Sequence, residues 1–293
     1  MVLTALSCGG GRTASPAPAP GADAGAAIAP GPPQAAAAPT ASITCATRGP
    51  FGGPSDYYSQ FYEDYILSYV FRDVKNGVYV DVGANDPNDS SVTKHFYLAG
   101  WRGINIEPNP ELRPLLDKAR PEDVNLSVGI SDKPGFLTFY RFTRFSGLST
   151  FDRAIALRHR KAGVEFQEVR IPVTTLNEAL KHDIVKNGIT FMNVDVEGFE
   201  KQVFTGIDFS QHPVTVVMAE ATAPETEIPT HQIWEPILFK AGYLFAMDDG
   251  LNRYYVHPAH RDLLPRFVEV NYCVGMDKIA KGIKLDAFTQ AGH

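Results

Sequence analysis

Five apolar runs between Val78 and Glu220 each stop at or beside an acid, and this repetition constrains the fold more than any single motif. The first, VYVDV, holds Asp81 and breaks into Gly83-Ala84-Asn85-Asp86-Pro87. GINIE ends at Glu107, VNLSVGISD at Ser131 and Asp132, GITFMNVDVE at Asp195 and Glu197, and VTVVMAE at Glu220. Between them lie segments with helical spacing. Near-continuous apolar strands alternating with helices are buried on both faces, which predicts an α/β fold with a mostly parallel sheet and helices on either side. GYLFAMDDG and RYYVHP flank a Gly-Leu-Asn turn and predict a closing antiparallel hairpin. Upstream, Phe61, Tyr65, Ile66, Tyr69 and Val70 have helical spacing, with Ser59 as the expected cap and Asn76-Gly77 as the stop. SSVTKHFYLAG predicts a second helix, capped by Ser90 or Ser91 and stopped by Gly100.

The folded unit is expected from residue 56 to residue 293. Residues 1–55 are dominated by Ala, Pro and Gly, cannot bury enough apolar surface to offset ordering, and are expected to be a disordered tether. Within them, VLTALSCGGG resembles the end of a lipoprotein signal with Cys8 as the lipidated residue, but it lacks a basic n-region. An inert tail is the plainer alternative. Three dispersed cysteines, Cys8, Cys45 and Cys273, point to neither a disulfide framework nor a zinc site, which fits a reducing compartment. No apolar run is long enough for a membrane span. A net charge of −6 argues against a nucleic-acid partner.

Ligands of open α/β sheets sit beyond the carboxyl ends of the strands, so the chemistry at those ends matters. A phosphate site needs a Gly-rich turn with free amides. Here Pro87 has no N–H, and Asp81, Asp86 and Asp89 would repel an anion. The row of acids suits a ligand carrying positive charge and hydroxyls, as S-adenosylmethionine does. Asp81 is placed to favour its ammonium and sulfonium. Gly83 and Asn85 form a turn in which the bare glycine admits a close approach. Glu107, at the next strand end, is placed to accept both hydrogen bonds of a ribose diol, and Ser131 and Asp132 to meet the adenine amine.

The segments SQFYEDYIL, VYVDVGANDPNDSS, INIEPNP, VGISDKPGFLTFY, GLSTF, VTTLNEAL, MNVDVEGFEKQVFTGID and DGLNRYYVHP resemble FkbM-type methyltransferases, in order from about Ser59 to Pro258. The resemblance implies a Rossmann-like class I methyltransferase sheet and S-adenosylmethionine-dependent methylation of hydroxyl groups on natural products and glycans. One position departs from the family: Tyr62 stands where a small residue, often Gly, precedes the Glu-Asp pair.

Methyl transfer to a hydroxyl requires alignment of the acceptor oxygen with the methyl carbon and sulfur, and removal of a proton. Asp195 and Glu197 are expected to shape the acceptor side, with His231 or Glu197 taking the proton. Asp195 and Glu220 are alternatively a pair that shares a divalent ion. The one basic stretch, Arg141 to Gly163, is either a solvated helix face or a lid whose Arg144 and Arg158 recognise an anionic acceptor. His257 and His260 are taken as surface residues. The partner is then a small-molecule or glycan acceptor, oligomeric state is open, and the location cytoplasmic, with a Cys8 envelope tether as the alternative. Two other readings stay in view: an NAD(P) oxidoreductase on a similar sheet, and a non-catalytic, tethered binding protein.

Overall fold

The computed structural model describes residues 57–280, with side chains to Val274. The expectations for residues 1–55, Cys8 among them, lie outside the described residues. A seven-stranded sheet has the order β3-β2-β1-β7-β8-β10-β9. Its strands are β1 (Val78–Val82), β2 (Arg102–Ile106), β3 (Val124–Leu126), β7 (Ile189–Val194), β8 (Val214–Glu220), β9 (Leu244–Asp248) and β10 (Asn252–Val256). The first five are parallel, while β10 runs antiparallel to β8 and to β9. The expected α/β sheet with its closing hairpin is therefore present.

A smaller sheet of β4 (Gly129–Ile130), β5 (Gly135–Arg141) and β6 (Gln167–Thr174) has the order β4-β6-β5. It corrects the reading of VNLSVGISD as one strand: the run divides, giving β3 to the large sheet and β4 to the small one. The helices are α1 (Glu63–Val70), α2 (Lys94–Leu98), α3 (Arg113–Ala119), α4 (Arg153–Lys161), α5 (Leu176–Ala179), α6 (Glu200–Thr205), α7 (Glu235–Lys240) and α8 (Leu264–Ala280).

Strand alternation divides the core between the two faces of the large sheet. Val80, Ile104, Met192, Val217 and Tyr255 pack on one face against α5, α6 and α7 residues such as Leu176, Phe204 and Leu238. Tyr79, Phe191, Val216 and Tyr254 pack on the other with α1, α2 and α8 residues such as Ile66, Phe96 and Phe267. Phe191 sits at the centre of an aromatic cluster, with ring centroids 4.7 Å from Phe96, 5.9 Å from Tyr79 and 6.1 Å from Trp101. Phe191→Ala is expected to lower unfolding stability by about 3–5 kcal/mol, read from urea denaturation; a loss below about 1 kcal/mol would refute this packing account.

Helix starts differ from expectation in instructive ways. Ser59 does cap, but from a distance: its Oγ accepts from Asp64 N–H at 3.3 Å and donates to that carboxylate at 2.5 Å. The residue ahead of α1 is Tyr62, at φ 71° and ψ 15°. This left-handed conformation costs a side-chain-bearing residue roughly 1–2 kcal/mol, which accounts physically for Gly being frequent at that position in the resembling family. Helix α2 starts at Lys94 and its preceding Thr93, at φ −92° and ψ −11°, lacks the extended N-cap conformation and makes no side-chain cap; its hydroxyl donates to Asp81 instead. Cys273 on α8 is disulfide-bonded. No helix among the described residues is long and apolar enough to cross a membrane.

Candidate active site

A cavity of about 630 Å³ opens beyond the carboxyl ends of β1, β2 and β7. That volume suits a small-molecule site. The turn after β1 supplies Gly83, Ala84 and Asn85, the end of β2 supplies Glu107 and Pro108, and the turn after β7 supplies Asp195, Val196 and Glu197. Val128 and Ile130, around β4, add apolar surface, joined by Phe139 and Phe151.

Asp81 is buried at the floor. Its two oxygens accept from Thr93 Oγ1 and Asn193 Nδ2, each at 2.9 Å. Burial raises its pKa, and those two hydrogen bonds oppose the rise. Asn193 is its register partner on β7, so adjacent parallel strands fix the pair directly. Gly83 has φ +91°, and a Cβ there would lie 1.7 Å from the Asp195 carbonyl oxygen. The glycine is thus required by the crossing of two strand-end turns, a reason different from close approach of a ligand. Asn85 is also left-handed, at φ 47°, and its N–H donates to Glu107 Oε2 at 2.9 Å.

Glu107 holds its surroundings together. Its other oxygen accepts from Asn109 N–H at 2.7 Å, and burial raises its pKa to about 7 against the pull of these two bonds. Each oxygen retains a lone pair for a further donor.

The acids after β7 and β8 crowd one another. Asp195 is exposed to the cavity, yet the surrounding walls exclude enough solvent to push its pKa up to about 6, with the Asp81 charge adding to the rise. Glu197 is left-handed at φ 53° and half-buried, and its Oε2 has no hydrogen-bond partner. Burial, then Asp195, Glu200 and Glu225, raise its pKa well above the carboxylate range. Glu200 is buried and closes the same turn by accepting from Gly198 N–H at 3.1 Å. Glu220 is 7% exposed, has an unpartnered Oε2, and is pushed up to about 11 by burial and then by Asp195 and Glu197.

Asp81, Gly83, Asn85, Glu107, Asp195 and Glu197 thus line one cavity. Ser131, Asp132, Glu220 and His231 are not among the lining residues. Ser131 bonds within the small sheet, its N–H donating to the Thr174 carbonyl at 2.9 Å, and Asp132 is exposed. The division of VNLSVGISD between two sheets leaves Val128 and Ile130, and not these two, at the wall. His231 begins a 3₁₀ turn where burial and the Arg253 charge lower its pKa. The loop after β8 is pinned by a Thr222–Pro229 bridge ahead of it, and His231 lies outside the cavity lining.

Among the described residues no three His, Cys, Asp or Glu side chains are grouped to hold a metal ion, and Glu220, the expected partner of Asp195 in a divalent site, does not line the cavity that Asp195 reaches. Sequence reasoning missed Asn193, Thr93 and Asn109, which hold the acids. The signal for Asn193 was present: a lone amide inside the apolar run of β7, opposite the lone acid of β1.

Residues 81–245, more than half of the 293-residue chain, match the family model described as Methyltransferase FkbM domain. A comparison with curated proteins returns no match.

Proposed function

Because the chain belongs to the FkbM methyltransferase family, we propose that it transfers a methyl group from S-adenosylmethionine to a hydroxyl of a sugar, a glycan or a related natural product. The observation that carries this reading is the set of carboxyls Asp81, Glu107 and Asp195 at the ends of three neighbouring strands, around one cavity. A pyrophosphate would meet Asp81 and Asp195 unfavourably, which argues against the oxidoreductase reading.

The donor, when bound, supplies an electrophilic methyl on a cationic sulfur. Glu107 would accept from the ribose hydroxyls with the lone pairs that the Asn85 and Asn109 amides leave free. Val128 and Ile130 would face the adenine, and Asp81, held by Thr93 and Asn193, would favour the positive charge. Asp195 takes the acceptor proton: it reaches the cavity and, with a pKa of about 6, is ionised at neutral pH yet basic enough to act. Glu197, beside it, is held toward its protonated form by burial and then by Asp195, Glu200 and Glu225, so it is the poorer base.

Calorimetric titration tests the reading. Wild-type protein should bind S-adenosylhomocysteine and not NADH, and the reverse would overturn it. Glu107→Ala is expected to weaken S-adenosylhomocysteine binding about 10–100-fold, the worth of hydrogen bonds to a charged group; unaltered affinity would remove Glu107 from the donor site.

A cytoplasmic location follows from the donor, a cytoplasmic metabolite. A Cys8 envelope tether would instead place the chain in an oxidising compartment. Alkylation of free thiols in protein taken from cells without reductant separates the two.

A further inference from the structure

Residues 141–150 form a loop that is closed at its base. Tyr140 N–H donates to the Thr150 carbonyl at 2.9 Å and Thr150 N–H donates back at 3.2 Å. Phe142 N–H donates to Ser149 Oγ at 3.1 Å. Thr150 Oγ1 then ties the base to the Glu197 carbonyl at 2.8 Å. A loop whose ends are joined is compact and holds its own shape, and this one lays Arg144 and Phe145 along the cavity wall.

Three basic residues of the stretch are engaged elsewhere. Arg141 pairs with Glu111 at 2.5 Å, Arg158 donates to the Pro224 carbonyl, and Arg160 lies over the Phe166 ring. Arg144 differs. It sits 5.3 Å from the centroid of Phe145 and forms no ion pair among the described residues. Among the lining residues it is the sole Lys, Arg or His, in a wall that also carries Asp81, Asp89, Glu107, Asp195, Glu197 and Glu225.

We propose that Arg144 recognises an oxyanion on the methyl acceptor, a carboxylate or a phosphate, so that the preferred acceptor is an acidic sugar or sugar phosphate. This rests on the methyl-transfer reading above. A guanidinium laid on an aromatic ring is partly desolvated and keeps its planar fork, which matches either anion with two parallel hydrogen bonds. Phe145, 47% exposed, offers the apolar face of a sugar ring a surface beside that charge. The acids elsewhere on the wall oppose an anion, so only the part of the acceptor at this loop is suited to carry one. Selectivity for orientation follows: the charged end goes to Arg144 and the hydroxyl toward Asp195.

Two titrations of the full chain test this. The first measures S-adenosylhomocysteine on wild type and on Arg144→Gln. Similar affinities are expected; a loss of about tenfold or more, the worth of a charge-assisted bond, would mean that Arg144 holds the donor's own carboxylate and would overturn the proposal. Absence of wild-type binding would instead sink the methyl-transfer reading. The second titrates D-glucuronate, D-glucose 1-phosphate and D-glucose onto S-adenosylhomocysteine-loaded protein. One of the anions is expected to bind at least about tenfold tighter than glucose, and which one distinguishes carboxylate from phosphate. Arg144→Gln should erase that advantage at unchanged Tm, and Arg144→Lys should restore part of it. Equal affinities, no measurable binding of either anion, or an advantage that survives Arg144→Gln would each overturn the proposal.

Discussion

Asp195→Asn is expected to lower the rate of methyl transfer by about 10²–10⁴-fold, the usual worth of a positioned base, while leaving S-adenosylhomocysteine affinity largely intact. The side chain keeps its size and its place after β7, but loses the capacity to accept a proton. The pH profile supplies the sharper reading. A base must be ionised to act, and Asp195 ionises near pH 6, so wild-type kcat/KM should rise with pH through about 6 and then level. That acid limb should vanish in the Asn variant. Glu197→Gln should keep much more of the rate, because the amide imitates the protonated carboxyl that burial and its acidic neighbours favour. If Glu197→Gln abolishes the reaction while Asp195→Asn spares it, the two roles are exchanged.

Gly83→Ala is expected to destabilise the fold by about 2–6 kcal/mol. The φ of +91° accounts for about 1–3 kcal/mol of this in any residue with a side chain. The clash with the Asp195 carbonyl adds about 1–3 kcal/mol more, because overpacked atoms must be displaced. The obstacle is main chain on both sides, with no flexible side chain to swing aside. In thermal unfolding this corresponds to a Tm lower by roughly 5–20 °C. Relief of the clash would move Asp195 itself, so activity should fall further than stability alone explains. A variant with wild-type Tm would show that the two turns are not in contact.

The large sheet was legible because its strands are buried on both faces and so appear as unbroken apolar runs. Strands β1, β7 and β8 fall within a residue or two of the runs that announced them. The small sheet was not legible. Strand β5 is exposed along its first residues and buried only near its end, so its sequence lacks a clean alternation. That omission propagated to the site: with β4 assigned to the wrong sheet, Asp132 was expected at the cavity wall, where Val128 and Ile130 stand instead. For Asp81, Glu107 and Asp195 the topology did the placing, since parallel neighbours bring their carboxyl ends together whatever the connecting loops do. His231 and Glu220 depended on the path of one loop and on the depth of one side chain, and neither is written in residue spacing.

Among the described residues the first helix and the last are partners. Arg266 on α8 donates to the Val70 carbonyl at 2.8 Å and pairs with Asp73 at 2.7 Å, while Tyr69 donates to Glu269 at 3.1 Å. During synthesis, α1 leaves the ribosome long before α8 does. Until then its Ile66, Leu67 and Val70 lack the share of their burial that α8 provides, and the nascent chain carries exposed apolar surface. A chain released short of α8 would be expected to aggregate, even with every residue of the cavity already made.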